Sequence, residues 1–371
     1  MFRKTVLRVS SLLYPETIGG IEVHVDRLSS DLIKRGWENV VLTVKLNGET
    51  ESEVRKSYKI VRVPCRMQLF GNRIAPSILS KLLKMKSEFS IIHAHSHLYF
   101  STNVVALLRR MCSQPLVITC HGIWSQSMPM NVQQIWMRTF GMFTLNSADV
   151  VICYTEQEKE ALKKLGVKEE KIYIIPNGID TSFFTPATDH NSNNLLLWVG
   201  RFVKGKRPDI PVKAMIELRK RIPNVRLIML GRGPLKSYCR RLVDKYSLSG
   251  AVDFLSFVSD EELLKIYRES SVLLLTSVSE GVPRTILEAL SCGVPVVTSD
   301  LPQIKTIVAG CGYYFRVGEI SDMVEKTVEL MLNRQLRWEF GENGRRKVCE
   351  HHSWDALVDK HLQLYESLLN C

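Results

Sequence analysis

Short apolar runs alternate with amphipathic stretches along almost the whole chain. In the first half "TVLRVSS" (5–11), "NVVLTVK" (39–45), "YKIVRVP" (58–64), "SIIHAH" (90–95), "PLVITC" (115–120) and "DVVICYT" (149–155) read as strands. Unbroken apolar runs of this length suit a parallel sheet covered on both faces. Between them "EVHVDRLSSDLIKRG" (22–36) and "TEQEKEALKKLG" (155–166) have helical periodicity and end on glycine. The second half repeats the alternation. "LLLWVGR", "VRLIMLG", "AVDFLSFVS" and "SVLLLTS" are its strands, and "RPDIPVKAMIELRKRIP", "LKSYCRRLVDKYSL" and "DEELLKIYRES" its helices. The pattern predicts an α/β chain of two doubly wound, Rossmann-like domains. "PNGIDTSFFTPATDHNSNN" (176–194), rich in Pro, Asn, Ser and Thr, reads as a linker or hinge surface, which puts the domains at 1–180 and 181–353. Two such sheets facing each other across a cleft, lined by helix N-termini, suit a phosphorylated ligand.

One stretch of the second half carries candidate chemistry. In "SEGVPRTILEALSCGVP" (279–295), Glu280 and Glu288 are separated by seven residues. Arg284 to Ser291 has helical spacing, with Pro283 suited to its start and Gly293 and Pro295 to its end. Apolar strand-like runs lie on either side. Glu280 is therefore expected in a loop at the C-terminal edge of a sheet, where open α/β folds bind ligands. The helix start beside it favours a phosphate. An acid there repels a phosphate unless it faces something else, such as hydroxyl groups. On spacing alone, Glu280 also fits a solvated loop charge and Glu288 an exposed helix residue.

Composition narrows the class. No apolar run among the 371 residues approaches a bilayer span. Arg8 splits the opening "MFRKTVLRVSSLLYP", which reads as a first buried strand and not as a signal peptide. The nine cysteines, among them Cys65, Cys112, Cys120, Cys153 and Cys292, form no CxxC pair and point to buried thiols in a reducing cytoplasm. The net charge of +12 is concentrated: Arg55 to Lys86 holds nine Lys or Arg and no acid. Within it "SILSKLLKMK" (77–86) fits either an amphipathic helix on an anionic membrane or a helix packed on the core. Aromatic interleaving is too sparse for a nucleic-acid site. The lone "GRG" (231–233) lacks the third glycine of a dinucleotide fingerprint.

Several separate pieces then converge. "GGIEVHVDRLSSDLIKRG" (19–36), "IIHAHSH" (91–97), "TCHG" (119–122), "IIPNGID" (174–180), "VGRFVKGKRPD" (199–209) and the E-x7-E block stand in order over nearly the whole length. With these pieces the chain resembles the retaining glycosyltransferases of family 4, which have the two-Rossmann-domain GT-B fold. The resemblance implies transfer of a hexose from a UDP- or GDP-linked sugar to an acceptor hydroxyl, with no further cofactor. It assigns Glu280 to hydroxyls of the transferred sugar and Glu288 to the ribose. Backbone N–H groups near Gly281, Arg284 and Thr285 would hold the diphosphate, and Val258 lies on the nucleobase side. Arg201 and Lys206 would grip the diphosphate. The sequence contains no D-x-D motif, so fixed cations take the place of a metal on the leaving group. His121 would meet the donor sugar, Gly19 and Gly20 would approach sugar and diphosphate, and Glu22 and His24 would line the acceptor side. His93, His95 and His97, at alternate positions, would share one strand face and line the cleft without a metal.

The resemblance also implies that the last helix, 354–371, packs back on the N-terminal domain. The acceptor is expected to be a glycan or lipid-linked molecule, met at the inner face of the membrane by a cytoplasmic protein through residues 55–86. Four positions depart from the family pattern: Ser90, Arg207, Ser256 and Gln303. Two alternatives share the fold: a nucleotide-sugar epimerase, and a non-catalytic nucleotide-sugar-binding protein.

Overall fold

The computed structural model describes residues 4–16, 19–45, 51–124, 128–187 and 194–370. The chain divides into two compact units, Met1–Pro176 with Ala356–Cys371, and Asn177–Asp355. Both are Rossmann-like.

The first unit is built on an eight-stranded sheet. Its strands are β1 (Thr5–Val9), β2 (Glu38–Lys45), β3 (Ser52–Arg55), β4 (Tyr58–Pro64), β7 (Ile91–His95), β8 (Leu116–Thr119), β9 (Val150–Cys153) and β10 (Ile172–Ile174), with the hairpin β5 (Met67–Leu69) and β6 (Asn72–Ile74) set apart. The order is β10-β9-β8-β7-β1-β2-β4-β3. Only β3 runs antiparallel to its neighbour. All five residues of β1 are buried, Arg8 included. The final helix, Trp354–Leu369, contributes Ala356 onward to this unit, where Tyr365 is fully buried against Arg8.

The second unit has the order β13-β12-β11-β14-β15-β16. Its strands are β11 (Leu195–Val199), β12 (Arg226–Leu230), β13 (Val252–Leu255), β14 (Val272–Leu275), β15 (Val296–Ser299) and β16 (Gly312–Phe315), each parallel to its neighbours. The helix of the E-x7-E block spans Arg284–Ser291, as its spacing predicts. Elements beyond those read from the sequence also appear, notably the helical run 130–147 and the helices Ile320–Leu332 and Arg334–His351.

Two expectations are corrected. Part of the basic run is neutralised, because the sheet brings acids from elsewhere to it. Arg55 and Arg62 both pair with Glu16 and Glu53, and Lys56 pairs with Asp26. Arg73 is buried, with the carbonyls of Ser11 and Val44 in reach. On the helix Ile78–Met85, the residues Ile78, Leu82 and Met85 lie in the core, so that face is not available to a bilayer. The second correction concerns the linker, whose residues 188–193 lie outside the described ones. Its first part is fixed within the second unit. Asn177, Ile179 and Phe184 are buried, and Ile179 exchanges backbone hydrogen bonds with His352 and Trp354.

Candidate functional site

In the second unit the chain runs outward from β11 through β12 to β13, then returns to lay β14 on the other side of β11. This reversal is the switch point at which open parallel sheets form a crevice beyond their C-terminal ends. The loops leaving β11 and β14 meet there. Lys204–Lys206 forms a single tight turn, and the Val278 N–H donates to the Gly205 carbonyl at 2.9 Å. The Thr276 hydroxyl lies 2.8 Å from the Lys206 carbonyl and 3.0 Å from that of Arg207, and accepts from the Trp198 indole at 3.1 Å. With both loops tied, Lys206 Nζ forms an ion pair with Glu280, and the side chains are 16% and 7% exposed. Arg201 stands exposed two residues beyond β11.

Arg207 occupies the position where the family pattern has glycine, and its φ of 47° is left-handed. The backbone keeps the glycine conformation at some cost in strain, while the side chain turns to Asp209 at 3.1 Å. The "GRG" glycines serve backbone packing. A Cβ on Gly231, at φ 146°, would lie 2.0 Å from the Gly200 carbonyl oxygen. This closeness lets Gly200 N–H reach Leu230 O at 3.0 Å and Phe202 N–H reach Arg232 O at 2.8 Å.

The loop before the helix Arg284–Ser291 is held from two sides. The Gln303 amide donates to the Glu280 carbonyl, and Asn177 donates to that of Val282 at 3.1 Å. Gly281, Arg284 and Thr285 are half-buried at the helix start. Glu288 is buried, not an exposed helix residue. One carboxylate oxygen accepts from the Tyr267 hydroxyl at 2.8 Å, and Arg284 lies 3.5 Å from the other. Burial and the neighbouring Glu288 hold the Tyr267 phenol well above its usual pKa, so it remains a donor. Tyr267 has no motif; its one sequence signal is a polar-tipped aromatic beside Ile266 on the buried side of a helix. On the β13 side Val258 is half-buried, and Ser256 accepts from Lys236 at 2.7 Å.

The first unit has its own switch point, between β1 and β7. Gly19 caps the helix Gly20–Lys34 in extended backbone, and any Cβ there would lie 2.4 Å from a Glu22 carboxylate oxygen. Ser96, after β7, and His121, after β8, both have left-handed backbones, with φ of 63° and 54°. Such non-glycine conformations concentrate at functional sites. The turn at Ser96 ends the alternation, so His97 does not share the face of His93 and His95. It lies instead 6.3 Å from the Trp136 ring. His93 and His95 stack at 4.3 Å, His95 Nδ1 is 2.9 Å from His121 Nε2, and the His24 ring meets His121 edge-on at 5.1 Å. Ligand atoms of His24, His95 and His121 lie within 4.8 Å of one another. Burial pushes the His121 pKa down to about 3 and keeps His93 and His95 well below their usual values.

Two Rossmann-like units, each with candidate side chains at its switch point, define a GT-B protein. Residues 18–183 match the family model described as Glycosyltransferase Family 4, and residues 181–347 that described as Glycosyl transferases group 1. The chain belongs to this family of glycosyltransferases. It is 25% identical to a phosphatidylinositol N-acetylglucosaminyltransferase subunit of Arabidopsis thaliana, over 99% of this chain and 82% of that protein. Among solved structures, sucrose-phosphate synthase from Thermosynechococcus elongatus superposes with a TM-score of 0.83 at 22% identity, covering 99% of this chain and 100% of that one. Anabaena HepE in complex with UDP-glucose gives 0.82 at 18%, covering 98% and 99%.

Proposed function

We propose that the chain is a retaining, metal-independent hexosyltransferase that uses a UDP- or GDP-linked sugar. The observation that carries this reading is the meeting of Lys206 and Glu280 at the switch point of the second unit. A cation for the diphosphate and a carboxylate for sugar hydroxyls stand within reach of each other, beside the helix start at Arg284. Arg201 and Lys206 stabilise the leaving diphosphate, Glu288 holds the ribose, and Glu280 and His121 orient the sugar. The acceptor hydroxyl attacks from the face the nucleotide leaves, and the departing phosphate takes its proton. The test is thermal shift with a panel of UDP- and GDP-sugars, then product identification with acceptor in excess EDTA. Stabilisation by one donor class and transfer that survives the chelator are expected. Activity abolished by EDTA and rescued by Mg2+ or Mn2+ ends the metal-independent mechanism; a changed nucleotide sugar released without acceptor makes it an epimerase.

The acceptor in this reading is lipid-borne and met at the cytoplasmic face of a membrane. Similarity to a phosphatidylinositol N-acetylglucosaminyltransferase supports this. So does the helical run 130–147, which contains no acid and exposes Met130, Ile135, Phe140 and Phe143. No helix of the described residues is long and apolar enough to cross a membrane. Wild-type protein is expected to sediment with phosphatidylcholine/phosphatidylglycerol vesicles, and an Ile135→Ser/Phe140→Ser variant to remain in solution. Wild-type protein that stays in the supernatant makes a soluble acceptor the better reading.

A further inference from the structure

Arg8 is fully buried in β1, and its neighbours are neutral acceptors. One terminal nitrogen lies 3.1 Å from His93 Nδ1 and 3.2 Å from His95 Nε2, and the other donates to Tyr365 Oη at 3.2 Å. Its Nε has no hydrogen-bond partner among the described residues. A buried guanidinium satisfied by imidazoles and a phenol is costly to keep, so its effect on those neighbours matters.

A guanidinium has donors and no acceptor. His93 Nδ1 and His95 Nε2 must therefore both present lone pairs. A neutral imidazole that accepts at one nitrogen carries its proton on the other. His95 is thus protonated at Nδ1, which faces His121 Nε2 at 2.9 Å. That nitrogen accepts, so the His121 proton sits on Nδ1 and is donated to the Tyr154 hydroxyl. On the other arm, His93 Nε2–H donates to Thr119 Oγ1 at 2.8 Å. The donor count fixes each step in turn.

The same chain of hydrogen bonds bears on metal binding. Two imidazole nitrogens on a tetrahedral zinc, at about 2.0–2.1 Å from the ion, stand roughly 3.3 Å apart. The 2.9 Å between His95 Nδ1 and His121 Nε2 is close to this, and His24 stands within reach. Ligation needs a lone pair on His95 Nδ1, so its proton would have to move to Nε2, against the N–H of Arg8. Ligation through Nε2 would set the ion against the guanidinium itself.

We propose that Arg8 is a positioning residue that fixes His121 as its Nδ1–H tautomer through His95 and bars a transition-metal ion from His24, His95 and His121. This rests on the assignment of His121 to the donor sugar, but its main tests do not use transfer. Long-range 1H–15N correlation of the histidine side chains in the full chain should show Nδ1–H at His95 and His121 and Nε2–H at His93. An Nε2–H tautomer at His121 overturns the proposal. In Co2+ titrations followed by visible absorption, wild type and Arg8→Lys should develop no tetrahedral bands. Arg8→Met should bind Co2+ at least tenfold more tightly, and lose the gain when His95→Gln is added. Wild-type binding of comparable strength that His24→Gln abolishes refutes the barrier. These wild-type measurements decide the matter even if Arg8→Met fails to fold. Where it folds, transfer should fall tenfold or more with the affinity for free nucleoside diphosphate unchanged. A protein without transferase activity but with the stated tautomers would separate failure of the functional reading from failure of this one.

Discussion

Glu280 and Glu288 share a side-chain type and a short stretch of chain, yet their surroundings differ. Glu280 faces a cation from another loop, whereas Glu288 is held inside the unit by the Tyr267 hydroxyl. Glu280→Gln should therefore mainly lower the rate of transfer, because its contact matters most where the sugar is reacting. Glu288→Gln should mainly weaken nucleoside diphosphate binding, and Tyr267→Phe should do the same more mildly. A hydrogen bond to a charged group is worth about 1.5–3 kcal/mol, a tenfold effect or more. Calorimetry with free nucleoside diphosphate checks the split; equal loss of affinity in Glu280→Gln and Glu288→Gln means the two are misassigned. Lys206→Ala should reduce turnover about a hundredfold, on the order of 3 kcal/mol for one lost donor to a developing anion. Full activity in that variant removes Lys206 from the leaving-group role. The glutamates and Lys206 were legible in the sequence because each belongs to a local motif with fixed offsets from a strand end. Tyr267 was not, and neither were the contacts that Gln303, Asn177 and Arg8 make. Each acts on a residue brought to it by the fold from elsewhere in the chain, and a one-dimensional pattern holds no trace of that.

At the scale of elements, the site helix Arg284–Ser291 is backed by the helix Arg334–His351, and two glycines set their approach. A Cβ on Gly341 would lie 2.2 Å from the Gly293 carbonyl oxygen, and one on Gly344 would lie 2.6 Å from Leu290 Cδ2. Helix propensity alone makes Gly341→Ala favourable by about 1 kcal/mol. The contact with a backbone oxygen reverses the sign, since the two helices must separate, at a cost of roughly 1–3 kcal/mol. Gly344→Ala meets the end of a flexible side chain and should cost less. Urea unfolding compares the pair; Gly341→Ala at or above wild-type stability would show that the helices yield freely. The same glycines explain why this helix was silent in the sequence, since interior glycines read as breaks. The run 130–147 was hidden for another reason. A wider turn at Met137–Gly141 shifts its apolar side chains out of a 3.6-residue phase, so no single face emerges from the pattern. Strands such as β11 and β14 were legible because burial on both faces leaves nothing but apolar residues.

On the whole-molecule scale, the two units should differ in their response to acid. The first unit buries His93, His95, His97 and His361 and holds His121 half-buried. Burial pushes His97 down to about 4 and His121 and His361 to about 3, and it lowers His93 and His95 well below their usual value. When the unit unfolds, these side chains return to an ordinary pKa near 6.5. Between pH 6.5 and about 4 the unfolded chain therefore binds protons that the folded unit refuses, so stability falls as pH falls. Each histidine contributes on the order of 1 kcal/mol per pH unit. Glu158, buried and pushed up to about 6, acts in the opposite sense, because its folded form takes up a proton first. One such carboxyl offsets only part of the effect of five imidazoles. Net domain stabilities are about 5–15 kcal/mol, so acidification from pH 7 to pH 5 should unfold the first unit while the second remains folded. Hydrogen exchange read by mass spectrometry at the two pH values separates them: protection should collapse in the strands at 5–9, 91–95 and 116–119 and persist in those at 195–199 and 272–275. Equal protection of both sheets at pH 5 would mean that the imidazoles can be charged in place, and that the histidine cluster is far less sealed from water than its burial indicates.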